Sequence, residues 1–167
     1  MRVVIPYVPT LNPDVARAIN AGGYIPDPVD VSGSDDAYWT LLHRLWGRGK
    51  TICIVEHDVI VRPDSLRELE ECPSDWCSFQ VPYVGRLYAG LSCAKFSAAL
   101  IARYPDALER ISELSDDEHP QKHWCRIDSW LQGYVLHPGG ETMCVHTPPP
   151  EHIRENGDHS PTHGCGE

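Results

Sequence analysis

Thr51-Ile52-Cys53-Ile54-Val55-Glu56-His57-Asp58 joins an uninterrupted apolar run to two carboxylates. A short run of this kind, without polar alternation, is the pattern of a strand covered on both faces. Val59-Ile60-Val61-Arg62-Pro63 follows at once, so Glu56 and Asp58 stand at the C-terminal mouth of a buried strand. One residue apart there, they converge on a point above the sheet. Two such oxygen donors suit a hard divalent cation, Mn²⁺ or Mg²⁺, which a diphosphate would share. An ordinary polar turn would use the same residue types, so the setting has to decide.

Upstream, Arg2 to Ile5 reads as a buried strand ended by Pro6-Tyr7-Val8-Pro9. Asn12 or Thr10 can cap a helix through Ala21, with Val15, Ala16 and Ile19 inward and Gly22-Gly23 as its stop. A second strand around Pro28 to Val31 runs into Ser32-Gly33-Ser34-Asp35-Asp36. Tyr38, Leu41, Leu42, Leu45 and Trp46 then fall on one helical stripe, with Ser34 as the expected cap and Gly47 and Gly49 at the end. Strand, helix, strand, helix, strand argues for an α/β fold with a parallel sheet, right-handed crossovers and ligands outside the C-terminal strand ends. Further strands are expected at Trp76 to Val81, Leu87 to Cys93 and Thr142 to Val145. Helices are expected at Ser97 to Arg103, Asp106 to Leu114 and His123 to Gly133. The prolines after Thr147 suggest a single domain over 1–150 and a flexible tail over 151–167.

With 167 residues, 41% of them apolar, the chain has the size of one domain. Its formal charge of −10 argues against non-specific nucleic-acid binding and against an anionic membrane surface, both of which need clustered basic residues. No apolar run approaches the ~20 residues of a membrane span, so a cytoplasmic protein is expected. Among seven cysteines, Cys53, Cys77, Cys93 and Cys144 lie in apolar strand-like runs and read as buried reduced thiols. Cys72 and Cys77 have no second pair of zinc spacing in the sequence, which gives a zinc site little support.

Several segments share an order with a known family. Beside Glu56 and Asp58, these are Val29 to Asp36 with Asp30, Tyr88-Ala89-Gly90-Leu91-Ser92-Cys93, Arg126-Ile127-Asp128 and Val145-His146-Thr147. Together they resemble the A-type-fold (GT-A) nucleotide-sugar-dependent glycosyltransferases, in a short family-2-like form, over roughly residues 1 to 150. The resemblance implies a single-domain Rossmann-like sheet, mostly parallel and flanked by helices. It implies a glycosyltransferase moving a sugar from a nucleoside-diphosphate sugar, UDP-sugar favoured, to an acceptor hydroxyl that the sequence does not specify. Pro6, Tyr7 and Asp30 would surround the nucleoside. Asp58 and His146 would hold the metal, and Glu56 the ribose or a metal-bound water. Asp128 would be the catalytic base of an inverting reaction.

Physical reasons stand beside these roles. Glycine at position 90 lets backbone approach a bulky sugar without a Cβ clash, although a strand bulge would also favour it. Asp128 shares a segment with Trp124 and Ile127, whose apolar bulk would desolvate it and raise its pKa toward that of a useful base. His146 follows Met143-Cys144-Val145, a strand that would deliver its imidazole to the sheet edge. His152, His159 and His163 carry no assigned role. A nucleotidyltransferase is the competing enzyme, but Pro6 to Asn12 holds no glycine and no basic residue for a triphosphate cradle. A non-catalytic nucleotide-binding domain would need neither base nor metal.

Overall fold

Alternating side chains divide the apolar residues between two helical layers. The structure, a computed structural model, describes residues 1–83 and 86–153. Val4 of β1 (Arg2–Tyr7) and Ile52 and Ile54 of β3 (Ile52–Val55) face one layer. Val3, Ile5, Cys53 and Val55 face the other, as the two-residue period of a strand requires. The first layer holds α2 (Ala37–Trp46), α4 (Ala98–Arg103), α5 (Ala107–Ile111) and the late helical segment. The second holds α1 (Pro13–Ala21) and α3 (Ser65–Glu71).

The remaining main-sheet strands are β2 (Pro26–Asp30), β5 (Trp76–Tyr83), β6 (Arg86–Phe96) and β7 (Cys144–His146). They complete a six-stranded sheet of order β2-β1-β3-β6-β5-β7. Only β6 runs against the others, because it pairs antiparallel with both β3 and β5, while β1–β2, β1–β3 and β5–β7 are parallel. The expected mostly parallel α/β architecture holds. The chain leaves β1 toward β2 and then crosses to β3 on the other side of β1. This puts a topological switch point between β1 and β3, where open α/β sheets bind ligands.

Local rules explain most boundaries. Asn12 caps α1 by accepting from the Asp14 amide at 2.9 Å, and Pro13 occupies the first turn. The helix α2 departs from expectation at its start. Ser34 bonds to the Asp36 carboxylate and Asp36 takes the cap position without a side-chain cap bond. The late helix is not uniform: a 3₁₀ turn (Trp124–Arg126), one turn of α-helix (α6, Ile127–Trp130) and a π segment (Leu131–Leu136) follow each other. Ile127, Trp130 and Leu131 form its buried stripe, whereas Trp124 and Tyr134, expected there, are exposed.

The domain extends past the expected boundary at residue 150. A short strand β8 (Glu151–His152) pairs antiparallel with β4 (Val59–Ile60). The tail expected over 151–167 is thus ordered through Ile153, and the rest of it lies outside the described residues. Cys53, Cys72, Cys77, Cys93 and Cys144 are free thiols, whereas Cys125 is disulfide-bonded. Among the described residues no helix is long and apolar enough to cross a membrane.

Candidate functional site

Three strand ends and one helix bring the polar residues together. Pro6 and Tyr7 close β1 and pair with Val29 and Asp30 at the end of β2. Pro6 is buried, Tyr7 half-buried and Asp30 exposed. Asp30 accepts from the Ser32 amide at 2.8 Å and the Ser32 hydroxyl at 2.6 Å, and these bonds hold its carboxyl below the usual range.

On the other side of the switch point, Glu56 follows β3. Its amide donates to the Ser92 carbonyl at 2.9 Å, and the Tyr38 hydroxyl lies 3.3 Å from Oε1. Burial, then repulsion from Asp58 and Asp128, pushes the Glu56 carboxyl up to about 7. Asp58 goes the opposite way. Burial raises its pKa, but a hydrogen bond from His152 and the charge of that imidazole outweigh it and leave the carboxyl below its ordinary value. His152 Nε2 stands 3.0 Å from Asp58 Oδ2, and the Ile153 amide donates to the Asp58 carbonyl at 2.6 Å.

The antiparallel β6 carries the next wall. Its register with β5 shifts: Ser78 pairs with Ala94, but Gln80 already pairs with Ala89. Extra residues therefore bulge from β6 at Gly90 to Cys93. The buried Ser78 hydroxyl lies 2.9 Å from the Gly90 carbonyl and 3.1 Å from the Cys93 carbonyl, within the bulge. A Cβ on Gly90 would stand 2.4 Å from Tyr88 Cε1 and 2.6 Å from Asp128 Oδ2. What presses on Gly90 here is the catalytic candidate itself.

Asp128 Oδ2 accepts from the Tyr88 hydroxyl at 2.5 Å, and Oδ1 accepts from the Ser129 amide at 2.7 Å. The residue as a whole is half-buried, but its carboxyl group is shielded enough that burial raises its pKa against the opposing pull of these bonds. Asp128 thus has the expected desolvation, with the Tyr88 hydroxyl and the Gly90 backbone against its carboxyl.

His146 is placed elsewhere. β7 lies three strand positions from β3, roughly 14 Å at ~4.8 Å per step. Its alternation turns His146 onto the ring of Phe79, at 5.2 Å between centroids, and toward Cys72 and Cys77. The imidazole beside Asp58 belongs to His152, to which the sequence reading gave no role. Pro148 to Pro150 lie between the two histidines, and no local pattern marks where the chain returns. Tyr88 was also missed, yet it was legible: two residues before Gly90, it shares that residue's face of the strand.

No protein-family model matches the chain, and no curated protein does. Solved structures do match. A glycosyltransferase involved in the glycosylation of the major capsid of PBCV-1 aligns over 88% of this chain and 81% of that chain, with 10% identity and a TM-score of 0.56. The structure of A197 from STIV aligns over 88% of this chain and 82% of that one, with 9% identity and a TM-score of 0.52. The chain has a glycosyltransferase-like fold.

The family resemblance of the sequence implies a divalent cation on a diphosphate, and the donor set can be tested against it. Glu56, Asp58 and Asp128 are close enough to repel one another, and His152 adds a nitrogen at Asp58. The negative charge that raises the Glu56 pKa is what a hard cation would neutralise, so the residue types fit. Three of these ligand atoms do not, however, gather within 4.8 Å of one another as the atoms of Cys72, Cys77 and His146 do.

Proposed function

We propose that this chain is a metal-dependent glycosyltransferase, a short A-type enzyme of family-2-like form, which moves a sugar from a nucleoside-diphosphate donor, UDP-sugar favoured, to an acceptor hydroxyl. The observation that carries the reading is the convergence of Glu56, Asp58 and Asp128 over the switch point of a glycosyltransferase-like sheet. Pro6, Tyr7 and Asp30, at the neighbouring ends of β1 and β2, receive the nucleoside.

Asp58 and Glu56, with His152 in the place first given to His146, hold Mn²⁺ or Mg²⁺. The cation supplies positive charge against the negative charge developing on the leaving diphosphate. Asp128 takes the acceptor proton: Tyr88 and Ser129 fix its two oxygens, and burial makes it a stronger base than an exposed carboxylate. Gly90 opens the space in which Tyr88 and Asp128 meet, and the donor sugar comes against that same bulge. Five free thiols suit a reducing, cytoplasmic setting, while the disulfide at Cys125 points the other way.

A thermal-shift screen of nucleoside-diphosphate sugars with Mn²⁺, followed by measurement of donor hydrolysis, tests the reading. A stabilising donor that is hydrolysed only with metal supports it. Absence of stabilisation by every nucleoside diphosphate and its sugars, with metal present, overturns it.

A further inference from the structure

The strand pairing that takes His146 away from Asp58 assembles a second cluster on the opposite layer. Cys77 and Cys144 are direct partners in the parallel β5–β7 ladder, and Phe79 pairs with His146 two residues on. Side chains two apart share a face, so Cys77, Cys144 and His146 all point toward the α1–α3 layer. The chain reaches Cys72 at the C-terminal end of α3, immediately above them. The ligating atoms of Cys72, Cys77 and His146 all lie within 4.8 Å of one another. Cys144 Sγ lies 3.9 Å from His146 Nε2.

We propose that Cys72, Cys77, Cys144 and His146 form a structural site for a tetrahedral thiolate-preferring cation, Zn²⁺ foremost. In such a site the bonds are ~2.3 Å to sulfur and ~2.0–2.1 Å to nitrogen, which separates neighbouring ligand atoms by roughly 3.5–3.8 Å. The Cys144–His146 separation is already close to that value. Three thiolates and a histidine select a borderline-soft ion over Mg²⁺ or Mn²⁺, so this site and the carboxylate site differ in the metal they choose. No sequence motif showed it, because the second half-site, Cys144-x-His146, uses strand spacing and not the familiar loop spacing.

Lys95 lies beside the cluster. It is a buried lysine, 4% exposed, cross-strand partner of Cys77, and its ammonium donates to the Cys72 carbonyl at 2.7 Å. Glu70 and Asp75 already act on this ammonium electrostatically, and the cluster would add to that balance. Zn²⁺ with three thiolates and a neutral imidazole carries one net negative charge, which Lys95 balances. The site would rivet the edge strand β7 to α3 and β5. It would thereby fix the start of the segment that ends with His152 on Asp58. This inference concerns metal content and stability, and stands apart from the reaction proposed above.

The test uses the full chain purified under reducing conditions. Elemental analysis after zinc loading and desalting should give one zinc per chain. Cobalt replacement should give the intense thiolate-to-metal absorption that carboxylate sites lack. Cys77→Ala and Cys144→Ala should each lose the absorption and weaken zinc binding at least about tenfold, while Cys93→Ala, a buried free thiol outside the cluster, should keep both. Stripping zinc from the unmutated protein should lower its melting temperature, and re-addition should restore it, a readout that no folding defect of a variant can imitate. A reduced wild-type chain that retains no zinc and shows no cobalt–thiolate band, or one in which these cysteines only form disulfides, overturns the proposal.

Discussion

Gly90 runs directly beneath Asp128: an added Cβ would come within 2.6 Å of the Asp128 Oδ2 atom and 2.4 Å of the Tyr88 ring. The contact is with the proposed base, so Gly90→Ala should disturb the Tyr88–Asp128 bond first. Overpacking of this kind costs roughly 1–3 kcal/mol, which urea unfolding would read. Transfer should fall at least about tenfold more than that stability loss explains, with donor affinity by calorimetry little changed. A variant with normal turnover shows that the Tyr88–Asp128 geometry is dispensable.

Asp128→Asn keeps the shape and removes the proton acceptor. Transfer should drop by roughly 10²–10⁴. Stability should move the other way. Burial raises the Asp128 pKa, so the folded state holds that proton more tightly than the unfolded one. Ionised Asp128 is therefore a cost to folding above its raised pKa, and Asn relieves it. The melting temperature at pH 7 should hold or rise while activity collapses; a melting temperature that falls with intact activity marks Asp128 as structural.

Tyr88→Phe gives the matching pH experiment. The Tyr88 hydrogen bond lowers the Asp128 pKa against burial. Without it the carboxyl stays protonated to higher pH, and the acid limb of the transfer rate should move to higher pH. An unmoved limb would assign that ionisation to another group.

Ser78→Ala addresses the bulge. Its buried hydroxyl has one proton, within reach of the Gly90, Cys93 and Phe79 carbonyls, and leaving a buried acceptor unsatisfied costs about 1–3 kcal/mol. Chemical denaturation should show a loss of this size; a loss under ~0.5 kcal/mol would mean that water takes over the bonds.

Asp58→Ala should abolish Mn²⁺-dependent donor binding and also lower the unfolding free energy without metal, because the largely buried Asp58–His152 pair goes with it. His152→Ala should weaken donor binding in the same direction. Full donor binding by wild type in EDTA would exclude metal dependence.

The N-terminal half was legible because each of its signals is local. Asn12 caps α1 and Tyr38 to Trp46 fill one stripe, and both elements fall within a residue or two of their sequence marks. The unread helix α3 offers only Leu66 and Leu69 as a buried pair in seven mostly polar residues, too short for periodicity to show. Glu56 and Asp58 follow from strand-end logic, whereas Asp128 comes from the family resemblance, with its apolar neighbours as the supporting reason. The two histidines were not separable in that way. Which of them meets Asp58 depends on sheet order and on the parity of β7, and both are properties of long-range pairing that no single stretch encodes.

The bond from Ile153 to Asp58 also sets a timetable. Synthesis proceeds from the N-terminus, so the residues of the domain become available in that order. β1 to β3 and their helices can associate through near-neighbour contacts while the ribosome is still making β5. At that stage Glu56 and Asp58 exist without Asp128, and Asp58 still lacks its imidazole. The proton acceptor joins later, and His152 later again, across a contact of long sequence separation that is slow to close. A nascent chain therefore has the residues of its scaffold before those of its chemistry, and one that stops before β8 lacks the imidazole at Asp58.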